Sequence, residues 1–116
     1  NTTHFCLDVA ARLEKEGGWN VEVIDIRSLI PLDKETIYES VKKTGKALVV
    51  HEDKVFAGFG GEIAAGIGSD LFRYLDAPVQ RVGSTFTPVG FHPVLERAIL
   101  PDTDKIYEAA KKLLEF

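Results

Sequence analysis

The stretch VVHEDKVFAGFGGEIAAG, residues 49 to 66, sets three glycines, Gly58, Gly60 and Gly61, between a β-branched run and an apolar helical pattern. Glycine turns at such junctions can bring backbone amides up to a phosphate, so cofactor binding is the first chemistry to weigh. A dinucleotide fingerprint, G-x-G-x-x-G, uses its third glycine to let helix and strand pack closely. Gly58 and Gly60 match the first two places, but Ile63 fills the third. EDKVFA separates the strand from the glycines and brings two carboxylates that repel phosphate. A Walker loop would carry a lysine and a hydroxyl residue after the last glycine, where Glu62 stands. The residues favour a close-packed helix start over a phosphate site.

Other constellations are sparse. His51, Glu52 and Asp53 end an apolar run, at the edge where ligands gather in open α/β sheets. Adjacent strand residues point to opposite faces, however, so they do not chelate one ion together without a turn. His4 and His92 lie in separate elements, and no H-x-x-x-H or C-x-x-C spacing exists. The nucleophile elbow G-x-S-x-G is also missing, and Ser69 falls mid-helix by periodicity. Cys6 is alone, so no internal disulfide can form, and without an electropositive neighbour it reads as a buried or half-buried thiol.

The elements that must position these residues follow from periodicity. Cys6, Val9, Ala10 and Leu13 recur at helical spacing, with Thr2 or Thr3 as a cap and Gly17 and Gly18 as a stop. VEVIDI, residues 21 to 26, alternates and predicts a strand. Asp33 caps a second helix in which Ile37, Tyr38 and Val41 face inward, and Gly45 ends it. KALVVHE predicts a strand buried on both faces. Ile63, Ile67, Leu71 and Leu75 then trace a third helix, APVQRVG a third strand, and HPVLERAIL a short helix. Asp102 caps a last helix carrying Ile106, Ala109, Ala110, Leu113 and Leu114 on one side. Strands separated by helices in this rhythm predict an α/β fold with a mostly parallel sheet.

Composition narrows the function classes. At 116 residues and 45% hydrophobic the chain fits one globular domain over residues 1–116. Its net charge of −4, from 18 acidic against 14 basic residues, argues against nucleic acid as a partner. ALVV is far too short to cross a membrane, and a cytoplasmic location is expected. The opening without methionine leads us to expect a piece excised from a longer polypeptide.

The strings VEVIDIRSLIPLDKETIYESVKKTGKALVVHE, GFGGEIAAGI, LDAPVQRV and TPVGFHPVLERAILPD, then a terminal KKLLEF, carry a resemblance in order and spacing. Over residues 4 to 116 the chain resembles the C-terminal domain of one class of beta subunit. These subunits belong to the thiamine-diphosphate-dependent decarboxylating component of 2-oxo acid dehydrogenase complexes, the pyruvate and 2-oxoisovalerate enzymes. The resemblance implies a transketolase C-terminal-like three-layer α/β sandwich, its sheet mostly parallel with one antiparallel strand. It also implies a strand ahead of the segment matching THFCLDVAARLEKEG.

The role that the resemblance implies is assembly. By resemblance, Gly58, Gly60 and Gly61 are the close-packed start of a helix. Thiamine diphosphate and magnesium serve the full enzyme from the alpha subunit or domain, and this domain alone holds neither cofactor, metal nor catalytic residue. The implied partners are that alpha part, a second beta chain and the peripheral binding domain of the dihydrolipoyl acyltransferase. Asp76, His92 and Phe116 are the implied interface residues; the local alternatives are a turn before Pro78, a solvated loop imidazole and a fraying end. GGWN at 17 to 20 and the pair Gly90 and His92 depart from the usual pattern and leave the oxo acid open, with 2-oxoisovalerate ahead of pyruvate. Two further readings stand beside this one. One is the tail of another thiamine enzyme of transketolase or deoxyxylulose-phosphate synthase type, and the other is a freestanding protein-binding module.

Overall fold

A strand buried on both faces has to be apolar at consecutive positions. Leu48, Val49 and Val50 meet that demand: Val49 belongs to one hydrophobic cluster, while Leu48 and Val50 pack against a second on the opposite face. The computed structural model describes all 116 residues. The elements in order are α1 (Thr2–Gly17), α2 (Lys34–Thr44), β1 (Leu48–Lys54), α3 (Gly60–Asp70), a 3-10 turn (Phe72–Tyr74), β2 (Gln80–Ser84), α4 (Pro93–Ile99) and α5 (Thr103–Leu114).

β1 and β2 pair in parallel, with Val49 opposite Arg81 and Val50 opposite Val82, and the register shifts between Val50 and Lys54. One face of this sheet is covered by α1 and α5 through Val9, Leu13, Ile106 and Tyr107, which meet Val82. The other is covered by α2 and α3 through Ile37, Val41, Ile63, Ile67 and Leu71, which meet Val49. The result is three layers, helices on both sides of a small parallel sheet.

Local chemistry sets the helix ends. Asp33 accepts from the Thr36 amide at 3.1 Å and Asp102 from the Lys105 amide at 2.8 Å, each filling an orphan donor of a first turn. Gly18 (φ 67°) and Gly45 (φ 73°) take the left-handed conformation that closes α1 and α2. Across the layers, Tyr107 donates to Glu16 at 2.5 Å, joining α5 to α1. Tyr38 donates to Asp70 at 2.6 Å, joining α2 to α3; the accepting carboxylate holds the phenol proton and pushes the Tyr38 pKa up to about 12.

The structure differs from the sequence reading at several points. Residues 21–26 form no strand, because no backbone hydrogen bond joins them to β1 and a strand exists only through its partner. The sheet therefore has two strands, both parallel, with no antiparallel member. Asn1, rather than Thr2 or Thr3, sits at the cap of α1, and its side chain makes no cap hydrogen bond. Leu75 lies beyond α3, which ends before the 3-10 turn. No helix is long and apolar enough to cross a membrane.

Ile106 is 2% exposed and Leu7 is 51% exposed, so the two positions test where the core lies. Ile106→Ala is expected to cost about 2–5 kcal/mol in chemical denaturation, and Leu7→Ala under about 1 kcal/mol.

Candidate functional site

The C-terminal end of β1 carries the one buried polar side chain that the fold leaves unsatisfied. Both ring nitrogens of His51 are buried and neither has a hydrogen-bond partner. The ring is held by glycines from two directions. A Cβ on Gly58 would lie 3.0 Å from its Cε1, one on Gly83 of β2 would lie 2.9 Å from the same atom, and one on Gly60 would collide with the ring outright. A Cβ on Gly58 would also run into the Lys54 carbonyl oxygen. The glycines are thus the space the imidazole needs.

The surrounding loop is tied down. Arg81 Nη1 donates to the Val55 carbonyl at 2.8 Å, and the Val55 amide donates to the Ser84 carbonyl at 3.1 Å. The Ser84 hydroxyl donates to the Glu52 carbonyl. Ala57 is driven to φ 59°, a left-handed value that costs a side-chain-bearing residue energy. Burial lowers the His51 pKa and the Arg81 guanidinium adds to that; the nearby Asp53 carboxylate and backbone pull the other way without reversing it.

This arrangement does not fit a diphosphate. Anion sites at helix starts depend on free amides. Here the Gly61 amide donates to the Gly58 carbonyl at 3.0 Å and the Glu62 amide to the Phe59 carbonyl at 3.0 Å. Glu62 adds a negative charge in the first turn, and a Cβ on Gly61 would meet the Arg81 guanidinium at 3.1 Å. No group of three or more histidine, cysteine, aspartate or glutamate side chains stands where it could hold a metal ion.

A second feature lies on the outer surface of α3. Asp76 and Phe116, far apart in sequence, line one open groove together with Phe72 and Arg73, and α3 floors it with small residues such as Gly61 and Ala65. The Asp76 amide donates to the Gly45 carbonyl at 2.7 Å, and its carboxylate lies against Gly45, where a Cβ would collide with Oδ2. Phe72 and Phe116 are both largely exposed. His92 is not part of this groove: it caps α4, its Nδ1 accepting from the Val94 amide at 3.3 Å. Around it the loop displays Val89 and Phe91 and the first turn of α4 displays Val94 and Leu95, all exposed, while Phe86 meets Phe56 edge-on at 4.9 Å.

Comparison with known proteins decides the family. The family model for the transketolase C-terminal domain matches residues 1–106. The chain belongs to that family. It is 43% identical over 104 residues to the pyruvate dehydrogenase E1 component subunit beta of Rickettsia bellii, covering 90% of this chain and 32% of that protein. It is 40% identical over 114 residues to the 2-oxoisovalerate dehydrogenase subunit beta of Bacillus subtilis, covering 97% and 35%. A solved structure described as a split-gene transketolase, inactive beta4 tetramer, superposes with a TM-score of 0.81 at 28% identity, over 97% of this chain and 36% of that one. The chain spans about a third of the length of these relatives.

In this transketolase C-terminal domain the sequence pointed to the glycines but not to what they surround. His51 was visible as a residue at a strand end, whereas its burial depends on Gly83, which only the parallel pairing of β2 brings alongside. Arg81 and Ser84 were missed for the same reason.

The depressed pKa has a sign that can be tested. A neutral buried imidazole contributes stability that is fully present above the ordinary value of 6.5 and is lost as pH falls through the lower folded value. Urea midpoints should therefore drop between pH 7.5 and 5.5, and His51→Phe should show a flatter dependence than the parent chain. Gly60→Ala, which forces a methyl into the ring, is expected to cost about 1–3 kcal/mol in the same measurement.

Proposed function

We propose that this chain is the C-terminal domain of the beta subunit of a 2-oxo acid dehydrogenase, the component that oxidatively decarboxylates 2-oxoisovalerate or pyruvate and passes the acyl unit to a lipoyl group. The observation that carries this reading is the match of nearly the whole chain, at 40% identity or more, to beta subunits bearing those names. Its role in the assembly is to pack subunits together and to receive the acyltransferase component. The alpha subunit or domain, a second beta chain and the acyltransferase's peripheral binding domain are its partners. The lone thiol and the absence of disulfides fit a reducing compartment such as the cytoplasm.

The chain's own residues support an assembly role over a chemical one. Thiamine diphosphate and magnesium belong to the full enzyme; the Gly61 and Glu62 amides at the start of α3 are spent on carbonyls, and His51 occupies the space between the glycines. The groove offers what a basic docking domain needs, an acidic group at Asp76 beside the exposed aromatic rings of Phe72 and Phe116. A second reading, the tail of a transketolase that helps bind a sugar phosphate, draws on the structural neighbour of that name and on Arg73 in the same groove.

Activity, calorimetry and docking affinity test this. The longer chain, assembled with its alpha partner and thiamine diphosphate, should release carbon dioxide from 2-oxoisovalerate or pyruvate; turnover of a ketose phosphate instead would favour the second reading. Calorimetry should detect no thiamine diphosphate binding by this chain alone, and micromolar affinity would overturn the assembly role. In the assembled enzyme, Asp76→Lys should weaken binding of the acyltransferase's basic domain about tenfold, the effect of roughly 1.4 kcal/mol. Unchanged affinity would remove the groove from that role.

A further inference from the structure

Beyond β2 the chain leaves the body of the domain at Thr85 and returns at Ile99, where the Thr85 amide donates to the Ile99 carbonyl at 3.1 Å. Between these points lie a loop and α4, and neither hydrophobic cluster includes a residue of that stretch. None of the seven residues of α4 is buried. A helix this short does not persist on its backbone hydrogen bonds alone, so contacts elsewhere must hold it.

Part of that support is internal. A Cβ on Gly90 would collide with Leu95 Cβ, so the loop lies directly on α4. His92 Nδ1 accepts from the Val94 amide at 3.3 Å, and the His92 carbonyl accepts from the Glu96 amide at 3.0 Å. A surface segment whose ends meet and whose own side chains pack it has the character of an Ω-loop.

The side-chain hydrogen bonds and ring contacts that tie this segment to the body gather at two places. Near its start, Phe86 meets Phe56 edge-on at 4.9 Å, and the Lys54 ammonium lies 5.5 Å from the centre of the Phe86 ring. At its end stands Lys105 of α5. A helix leaves its last carbonyls without amide partners. In α4 the Lys105 ammonium donates to those of Arg97 at 3.3 Å, Ala98 at 3.1 Å and Leu100 at 2.6 Å, while Thr85 takes that of Ile99. The positive charge also suits the negative end of the helix dipole. Asp102 Oδ2, 3.6 Å from the ammonium, steadies it from the α5 side.

We propose that residues 86–98 form a strap that lifts from the domain as one unit, with Lys105 as the clasp that holds it down. Segments with little buried apolar surface open at the lowest free energies. Lifting the strap exposes no core residue; it breaks the Lys105 contacts and the Phe56–Phe86 contact. Both flanks stay fixed, because β2 remains paired with β1 and α5 keeps its own Asp102 cap and the buried Pro101 before it. The exposed Phe91, Val94 and Leu95 travel with the strap, so its closed and open states present different apolar surfaces. Lys105 is a positioning residue for that surface.

Hydrogen exchange on the full polypeptide tests the proposal. The Glu96 and Leu100 amides of the strap should exchange at least about tenfold faster than those of Gln80 and Leu71 in the body. Lys105→Met should speed Glu96 and Leu100 by a further factor of about ten or more and leave Gln80 and Leu71 unchanged. Lys105→Arg, which keeps a cation with several donors, should restore most of the protection. Unchanged exchange at Glu96 and Leu100 in Lys105→Met overturns the clasp. Acceleration of Gln80 and Leu71 in step with the strap overturns the separate unit, since Lys105 would then support the whole fold.

Discussion

Leu48, Val49 and Val50 leave water on both sides of the sheet at once, and the other elements are arranged around that double burial. A strand with apolar residues on both faces has to be sandwiched. Two helices are recruited to each side, and their apolar stripes point inward. Parallel pairing with β2 follows from the same requirement, because the crossover through α3 covers one face while it connects the strands. The polar groups that end the strand, from His51 onward, are then delivered to the rim of the sheet.

At that rim a single imidazole decides what the glycine loop can be. Gly58, Gly60 and Gly83 make room for a ring rather than for a ligand. The Gly61 and Glu62 amides are bonded within the loop, and Glu62 opposes negative charge. A buried neutral histidine with both nitrogens unpaired is a strain the domain carries at neutral pH, where the ring's charge would cost still more.

The outer surface has the opposite character. A small-residue helix face, exposed aromatic rings and an aspartate converge in one groove, and a second apolar cluster projects from the loop before α4. The domain thus presents a closed interior edge and two exposed apolar surfaces.

Much of the fold was written in the sequence. Asp33, Gly45 and Asp102 announced their helix ends because caps act over three or four residues, and the runs around Val9, Ile37, Ile63 and Ile106 announced their buried faces by period. The α/β class followed from the alternation of those runs. Tertiary structure alone decided what depends on residues distant in the chain. VEVIDI has a strand's pattern but not a strand's partner, Leu75 falls outside α3 because a 3-10 turn intervenes, and Asp76 meets Phe116 only because the folded C-terminus returns to α3. The seating of His51 against Gly83 is of the same kind. Periodicity and capping are properties of neighbours along the chain, whereas a hydrogen-bonded edge or a glycine cradle is shared between segments, and no single segment can declare it.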